Sequence, residues 1–220
     1  MKNLTLVIPA KKEAESLPSV LKEIENYECR IIVVLEESDI ETINSIKNFD
    51  KKIIFQEGKG YGNAIITGIN NVETEYLCIF NADGSFNPQE LKNLLEVSKD
   101  FDYVFASRYL KNAGSEDDTY LTSLGNFFFS KLGNILFSLN LSDILYTFVL
   151  GKTKSFKSLN LSSDDFCLCV ELPITAKKMS QKFTHIPSNE RKRIAGKKKV
   201  KEFSDGIKIL KYMLNKFIKK

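Results

Sequence analysis

Tyr76-Leu77-Cys78-Ile79-Phe80-Asn81-Ala82-Asp83-Gly84 begins as an apolar run and stops on an amide, a small residue, a carboxylate and a glycine. Tyr76 to Phe80 have the length and apolar continuity of a strand buried on both faces. Asn-x-Asp-Gly is turn chemistry, because Asn and Asp side chains bond nearby backbone and glycine tolerates positive φ. Two oxygen-bearing side chains at i and i+2 on a strand end also suit a hard cation. What else collects at that end of the sheet decides between turn and cation site.

Outward from this run, apolar segments alternate with helical periodicity. Leu4–Ile8, Arg30–Leu35, Lys52–Phe55 and Tyr103–Ala106 read as further strands. Glu13–Tyr27 spaces Leu17, Val20, Leu21 and Ile24 by one helical turn, and Ile40–Phe49 and Gly62–Val72 share that period. Pro88–Val97 reads as a helix with proline in its first turn. Strands alternating with helices predict an α/β fold whose mostly parallel sheet carries helices on both faces. Ligands of such open sheets sit beyond the carboxyl ends of the strands. There the chain places Pro9, Ala10 and Glu13 after the first strand, and Glu36 and Glu37 after the second. Gly58-Lys59-Gly60-Tyr61-Gly62 follows the third, Asn81 and Asp83 the fourth, Ser107 and Arg108 the fifth. A single polar turn means little, but polar or glycine-rich loops along one whole edge predict a site.

The 220 residues suit one domain, and 43% hydrophobic with 27% charged residues is a soluble globular balance. No apolar run reaches the roughly 18 residues of a spanning helix, and the first, ended by Pro9, is too short for a signal peptide. Cys29, Cys78, Cys167 and Cys169 sit in apolar surroundings and read as reduced core thiols, which points to the cytoplasm. Cys167-x-Cys169 is expected to alternate along a strand rather than to bind metal, and the lone His185 reads as a strand residue rather than a catalyst. Lys111–Thr119 reads as a polar loop. Leu121–Leu141, with Phe127, Phe128, Phe129 and Phe137, reads mainly as a core helix under the sheet, a minority of its residues facing a lipid-like acceptor.

The net charge of +4 hides an asymmetry: residues 191–220 hold twelve Lys or Arg and two acids, while the rest of the chain is net acidic. A basic block suggests phosphate groups or an anionic membrane face. Ile207, Leu210, Met213, Leu214 and Phe217 recur at helical spacing, so 203–220 is expected to be a basic amphipathic helix. Such a helix either packs on the domain or lies on an anionic bilayer.

Several segments resemble family 2 glycosyltransferases of the dolichyl-phosphate mannose synthase-like branch. They are Val7-Ile8-Pro9-Ala10 through Leu17, Gly58-Lys59-Gly60, Asn81-Ala82-Asp83-Gly84 at the place of an Asp-x-Asp, and Ser107-Arg108. Leu141-Ser142-Asp143 with Phe148, Glu190 to Gly196, and Phe203-Ser204-Asp205-Gly206 continue the likeness, which runs from about residue 4 to 212. There are departures. Asn81 stands for the first Asp of the pair, Glu36 for a base-binding Asp, Thr147 for a glycine before Phe148, Val149 for a frequent Arg, and Cys169 for a frequent Glu.

The resemblance implies a GT-A fold, a Rossmann-like nucleotide-diphospho-sugar transferase, over one domain at 1–220. It implies a hexosyltransferase that moves sugar from a nucleotide diphospho-sugar to a polyprenyl phosphate or related surface-glycan acceptor. Mg²⁺ or Mn²⁺ would be held by Asp83 and Asn81, offsetting charge on the leaving diphosphate. Pro9, Ala10, Glu13, Glu36 and Lys59 join Asn81 and Asp83 in binding the donor. Glu13 holds its loop, and Glu36 accepts from base or ribose. Arg108 and Arg193 are the expected phosphate partners, since the guanidinium fork suits phosphate. Lys197, Lys198 and Lys199 are expected on a loop closing over the ligand. Asp143 is, by family position, the candidate base or the residue that orients the acceptor loop. The protein is expected in the cytoplasm, peripheral at the inner membrane face, with no nucleic-acid partner. The alternatives are a sugar-nucleotide nucleotidyltransferase and a non-catalytic binding protein that keeps the fold with a degraded Asp-x-Asp.

Overall fold

The computed structural model describes residues 1–196 and 198–219. In chain order the elements begin β1 (Leu4–Pro9), α1 (Leu17–Ile24), β2 (Arg30–Leu35), α2 (Ile40–Ser45), β3 (Lys52–Phe55), α3 (Tyr61–Asn70) and β4 (Tyr76–Ile79). They continue with α4 (Leu91–Val97), β5 (Tyr103–Ser107), β6 (Gly114–Ser115), α5 (Tyr120–Phe137), β7 (Val149–Lys152) and α6 (Thr153–Ser158). The last are α7 (Leu168–Lys178), β8 (Phe183–Pro187), β9 (Asn189–Glu190) and α8 (Glu202–Ile218).

Seven strands form one sheet in the order β3-β2-β1-β4-β7-β5-β8. All its pairings are parallel except those of β7, which lies antiparallel between β4 and β5. Side chains alternate across β1, so each sheet face receives its own core. Leu6 and Ile8 pack with α1 (Leu17, Val20, Leu21) and α4 (Leu91, Leu94). Val7 packs on the other face, with α3 (Ala64, Ile65, Ile69) and with Ile209 and Met213 of α8 in the same cluster. The α/β expectation holds, and the strand carboxyl ends from β1 to β5 share one edge because β1 to β5 and β8 are mutually parallel.

Local expectations shift in four places. The polar segment 111–119 is not all loop, because Gly114–Ser115 pairs in parallel with Asn189–Glu190. Cys167 and Cys169 do not alternate on a strand; Asp165 Oδ1 accepts from Cys167 N at 2.9 Å and a helix starts there. α5 meets the core on one face only: Phe137 is buried and Phe129, Leu132 and Leu136 pack beside it, but Phe127 and Phe128 are exposed. The C-terminal helix forms and packs Ile209 and Met213 into the core. The expectations for Lys197 and Lys220 lie outside the described residues. Among the described residues no helix is long and apolar enough to cross a membrane.

Candidate active site

Beyond the carboxyl edge of the sheet lies a cleft of about 1110 Å³. Pro9, Ala10 and Glu13, then Glu36, then Gln56, Gly60 and Tyr61, then Asn81 and Asp83, then Arg108 line it, one group after each of β1 to β5. Arg193, Lys198 and Lys199 reach it from the segment between β9 and α8.

Asp83 is both a turn residue and a cleft residue. Its Oδ1 accepts from Ser85 N at 3.0 Å and Ser85 Oγ at 2.7 Å, closing the turn at Gly84, whose φ is +82°. Its Oδ2 lies 3.4 Å from Arg193 Nη1. Arg193 also binds Asp117, with Nη2 at 3.0 Å from Oδ2. Burial pushes the Asp117 carboxyl up, but the Arg193 hydrogen bond and the charges of Arg193 and Lys198 outweigh it and hold it below the ordinary range. Lys198 contacts Asp117 at 3.5 Å, and Lys199 contacts Glu13 at 3.2 Å. The basic segment thus lies across the acidic side of the cleft.

The first loop is held from inside. Glu13 Oε2 accepts from Ser16 Oγ at 2.8 Å, and Glu13 N donates to Thr42 Oγ1 at 3.0 Å. Glu36 is half-buried, lines the cleft and pairs through Oε1 with Lys11 at 2.7 Å. Asn81 is half-buried. The Tyr61 hydroxyl lies 3.5 Å from its Oδ1 and 2.6 Å from Thr147 Oγ1. Burial holds the Tyr61 hydroxyl far above its usual pKa, so it stays protonated.

Arg108 does not sit as a free phosphate partner. Its Nε and Nη2 grip the two oxygens of Asp143 at 2.7 and 3.0 Å, and its Nη1 reaches Glu190 at 3.1 Å and Asp118 at 3.2 Å. Three carboxylates consume the guanidinium, which also lies 4.4 Å from the centre of the Tyr146 ring. Asp143 is buried, with both oxygens bonded to Arg108. Lys59 is exposed and outside the cleft lining. The glycines around it serve packing: a Cβ on Gly62 would lie 2.0 Å from the Ser163 carbonyl oxygen, and one on Gly60 2.2 Å from that of Asp164. The 163–165 backbone approaches Gly60 and Gly62, and the Asn63 side chain approaches Gly58.

Asp117, Asp118, Glu190, Tyr61 and Tyr146 are cleft residues that sequence reasoning assigned no role. The adjacent acids Asp117-Asp118 just before α5 were the available signal. Glu190 was visible only as part of the late motif.

The glycosyl transferase family 2 profile matches residues 5–159, which contain every strand end of the cleft from β1 to β5. This chain belongs to glycosyl transferase family 2. Glycosyltransferase AglJ of Haloferax volcanii is 20% identical over 186 residues, covering 83% of this chain and 61% of that protein. An uncharacterized glycosyltransferase of Mycobacterium tuberculosis is 32% identical over 107 residues, 48% of each chain. The chain thus spans between half and three-fifths of the length of these curated relatives. Among solved structures, glucosyl-3-phosphoglycerate synthase from Mycobacterium tuberculosis, in complex with Mn²⁺, UDP and glucosyl-3-phosphoglycerate, aligns with a TM-score of 0.78 at 13% identity. That alignment covers 98% of this chain and 80% of the other. Mannosyl-3-phosphoglycerate synthase from Rubrobacter xylanophilus aligns at 0.72 and 14% identity, covering 98% and 74%. These likenesses confirm the GT-A fold; the dolichyl-phosphate mannose synthase-like branch within family 2 is not what these neighbours represent.

Family 2 chemistry raises the question of a metal, and the donor set answers in part. Among the described residues no group of three or more His, Cys, Asp or Glu is placed to hold one. Asp83 Oδ2 and Asn81 Oδ1 remain as one charged and one neutral oxygen on the same loop. They fit Mg²⁺ or Mn²⁺ that takes most of its ligands from phosphate and water, and not a cage built by protein alone.

Proposed function

We propose that this family 2 chain is a hexosyltransferase that uses a nucleotide diphospho-sugar and a polyprenyl phosphate acceptor. The observation that carries it is the meeting of Asp83 and Arg193, 3.4 Å apart, on the cleft edge where all the strand-end loops converge. In this reading Glu36, anchored by Lys11, accepts from the base or ribose. Arg193 turns from Asp117 to the diphosphate, whose charge rises as the sugar leaves. A divalent metal held by Asp83 and Asn81 would offset the same charge.

The acceptor reading rests on the paired state of the three aspartates beside Arg108 and Arg193. Asp143 has both oxygens on Arg108, and Asp117 and Asp118 are paired with Arg193, Lys198 and Arg108. A hydroxyl acceptor needs a base, whereas a phosphate monoester, with a second pKa of about 6, is already a nucleophile near neutral pH. An apolar extension of the cleft, lined by Leu121, Leu124, Phe127 and Phe128, supports a hydrocarbon-linked phosphate. The phosphoglycerate named for the structural neighbours is a second phosphorylated acceptor to test.

Incubation with a panel of nucleotide sugars, polyprenyl phosphate or 3-phosphoglycerate, and Mn²⁺ tests the proposal. The expected result is glycosylated polyprenyl phosphate with release of a nucleoside diphosphate. Release of inorganic diphosphate in a parallel incubation with a nucleoside triphosphate and a sugar 1-phosphate would instead mark a nucleotidyltransferase, and absence of any turnover with intact nucleotide binding would mark a binding protein.

A further inference from the structure

We propose that the outward faces of α5 and α8 form one surface that docks this protein on an anionic bilayer. The inference goes beyond the transferase assignment and stands without it.

α5 has two apolar faces. Phe137 is buried, and Phe129, Leu132 and Leu136 pack beside it against the core. Its exposed face carries Leu121, Leu124, Phe127, Phe128 and Ile135, each between 47% and 68% exposed. A helix packed on a soluble domain turns its apolar stripe inward. The one charge in Tyr120–Phe137 is Lys131, whose Nζ lies 5.8 Å from the centre of the Phe127 ring.

α8 has two apolar faces. One holds Ile209 and Met213 and is buried; the next, at 100° per residue, holds Phe203, Ile207, Leu214, Phe217 and Ile218, between 42% and 79% exposed. The two helices touch. The Phe129 ring lies 3.9 Å from where a Cβ on Gly206 would stand, and the Phe137 and Phe217 rings are 6.1 Å apart. Their exposed stripes therefore adjoin, and so large an apolar surface marks an interaction site.

Charge selects the occupant. Lys211 borders the exposed stripe of α8 and Lys131 lies within that of α5, while Lys208 is paired with Asp205 and Asp165. Residues 191–220 carry a net +10 against −6 for the rest of the chain. A second copy meeting this surface about a two-fold axis would set like charge against like. An anionic bilayer accepts both features, apolar side chains among the acyl groups and lysines among the phosphates. Leu121, Leu124, Phe127, Phe128 and Phe203 also line the cleft, so docking would hold the cleft mouth at the bilayer surface.

The chain has no tryptophan, so Phe127→Trp is a single reporter on this face. Its emission should shift to the blue with phosphatidylcholine vesicles containing phosphatidylglycerol, and stay put with phosphatidylcholine alone. Co-sedimentation with the mixed vesicles should fall at least tenfold in high salt, in Lys211→Glu, and in the Leu124→Ser/Phe128→Ser pair, with the wild-type melting temperature kept. Failure of the intact protein to bind mixed vesicles, or binding that the substitutions leave unchanged, overturns the proposal. So does a solution dimer that dissolves in the same variants without any vesicle binding, which assigns the face to a second copy. If the double variant does not fold, the Phe127→Trp emission alone decides.

Discussion

Arg108 and Asp143 are joined by two side-chain bonds, at 2.7 and 3.0 Å, and by a third from Arg108 N at 3.2 Å. The pair is buried, and it ties the end of β5 to the segment before β7. Removing the arginine would strand Asp143, Asp118 and Glu190 without their shared cation. Arg108→Ala should therefore cost about 3–5 kcal/mol of stability, the usual loss when one partner leaves a buried pair. Denaturant unfolding measures this. A variant of full stability with abolished turnover would return Arg108 to the role of phosphate ligand.

The same cluster predicts a pH dependence. One guanidinium faces three carboxylates, and burial pushes Glu190 above its ordinary range despite the pull of Arg108. A carboxyl whose folded pKa exceeds its unfolded value binds its proton more tightly when folded. Its contribution is then most favourable below the unfolded value, about 4.3, and is lost as pH rises through the folded one. Glu190→Gln keeps an acceptor for Ser115 and Arg108 but cannot titrate. Thermal melts of variant and wild type from pH 7 to pH 5 should show the wild type gaining on the variant as pH falls. Parallel curves would show that Glu190 titrates normally.

The sheet was legible because β1 to β5 are continuous apolar runs with polar breaks, and parallel strands need no long-range information to be recognised as buried. The edge that carries the cleft followed from chain direction alone. The ion-pair cluster around Arg108 was not legible because its partners come from positions 118, 143 and 190, and no local pattern announces a distant carboxylate. The faces of α5 were not legible for a different reason. Apolar residues run around much of this helix, so periodicity does not say which of them turn inward; the contacts show Phe129, Leu132, Leu136 and Phe137 toward the core and Phe127 and Phe128 outward. The glycines at 58–62 pointed to a close approach without saying by what.

Gly62 tests that last point. A Cβ there would meet the Ser163 carbonyl oxygen at 2.0 Å and that of Asp165 at 2.7 Å, both backbone atoms. Gly62→Ala should cost about 1–3 kcal/mol through overpacking. Donor affinity per folded molecule should not change, since no ligand approach is involved. Calorimetric titration beside a melting curve separates the two effects. A large loss of affinity at unchanged stability would show that the glycine faces ligand after all.

Asp83 divides its two oxygens between the turn and the cleft, and that division makes the metal proposal testable without breaking the fold. Asp83→Asn can keep the Oδ1 acceptor for Ser85 while removing the charge that faces Arg193 and the cleft. Arg193 retains Asp117 at 3.0 Å, so the basic segment stays anchored. If a divalent cation joins the diphosphate to this loop, Mn²⁺-dependent binding of uridine diphosphate should fall about 10- to 100-fold. That is the range for losing one charge-assisted contact of roughly 1.5–3 kcal/mol. Asn81→Asp should act in the opposite direction, since it adds a second anionic oxygen beside the first. Arg193→Ala distinguishes cation from guanidinium. It should weaken nucleotide binding in Mn²⁺ and in chelator alike, whereas Asp83→Asn should matter only in Mn²⁺. Calorimetry of all three variants, with and without the metal, gives the comparison. Equal affinities for wild type and Asp83→Asn in Mn²⁺ would leave Asp83 as a turn residue and assign the diphosphate to Arg193 and the neighbouring lysines.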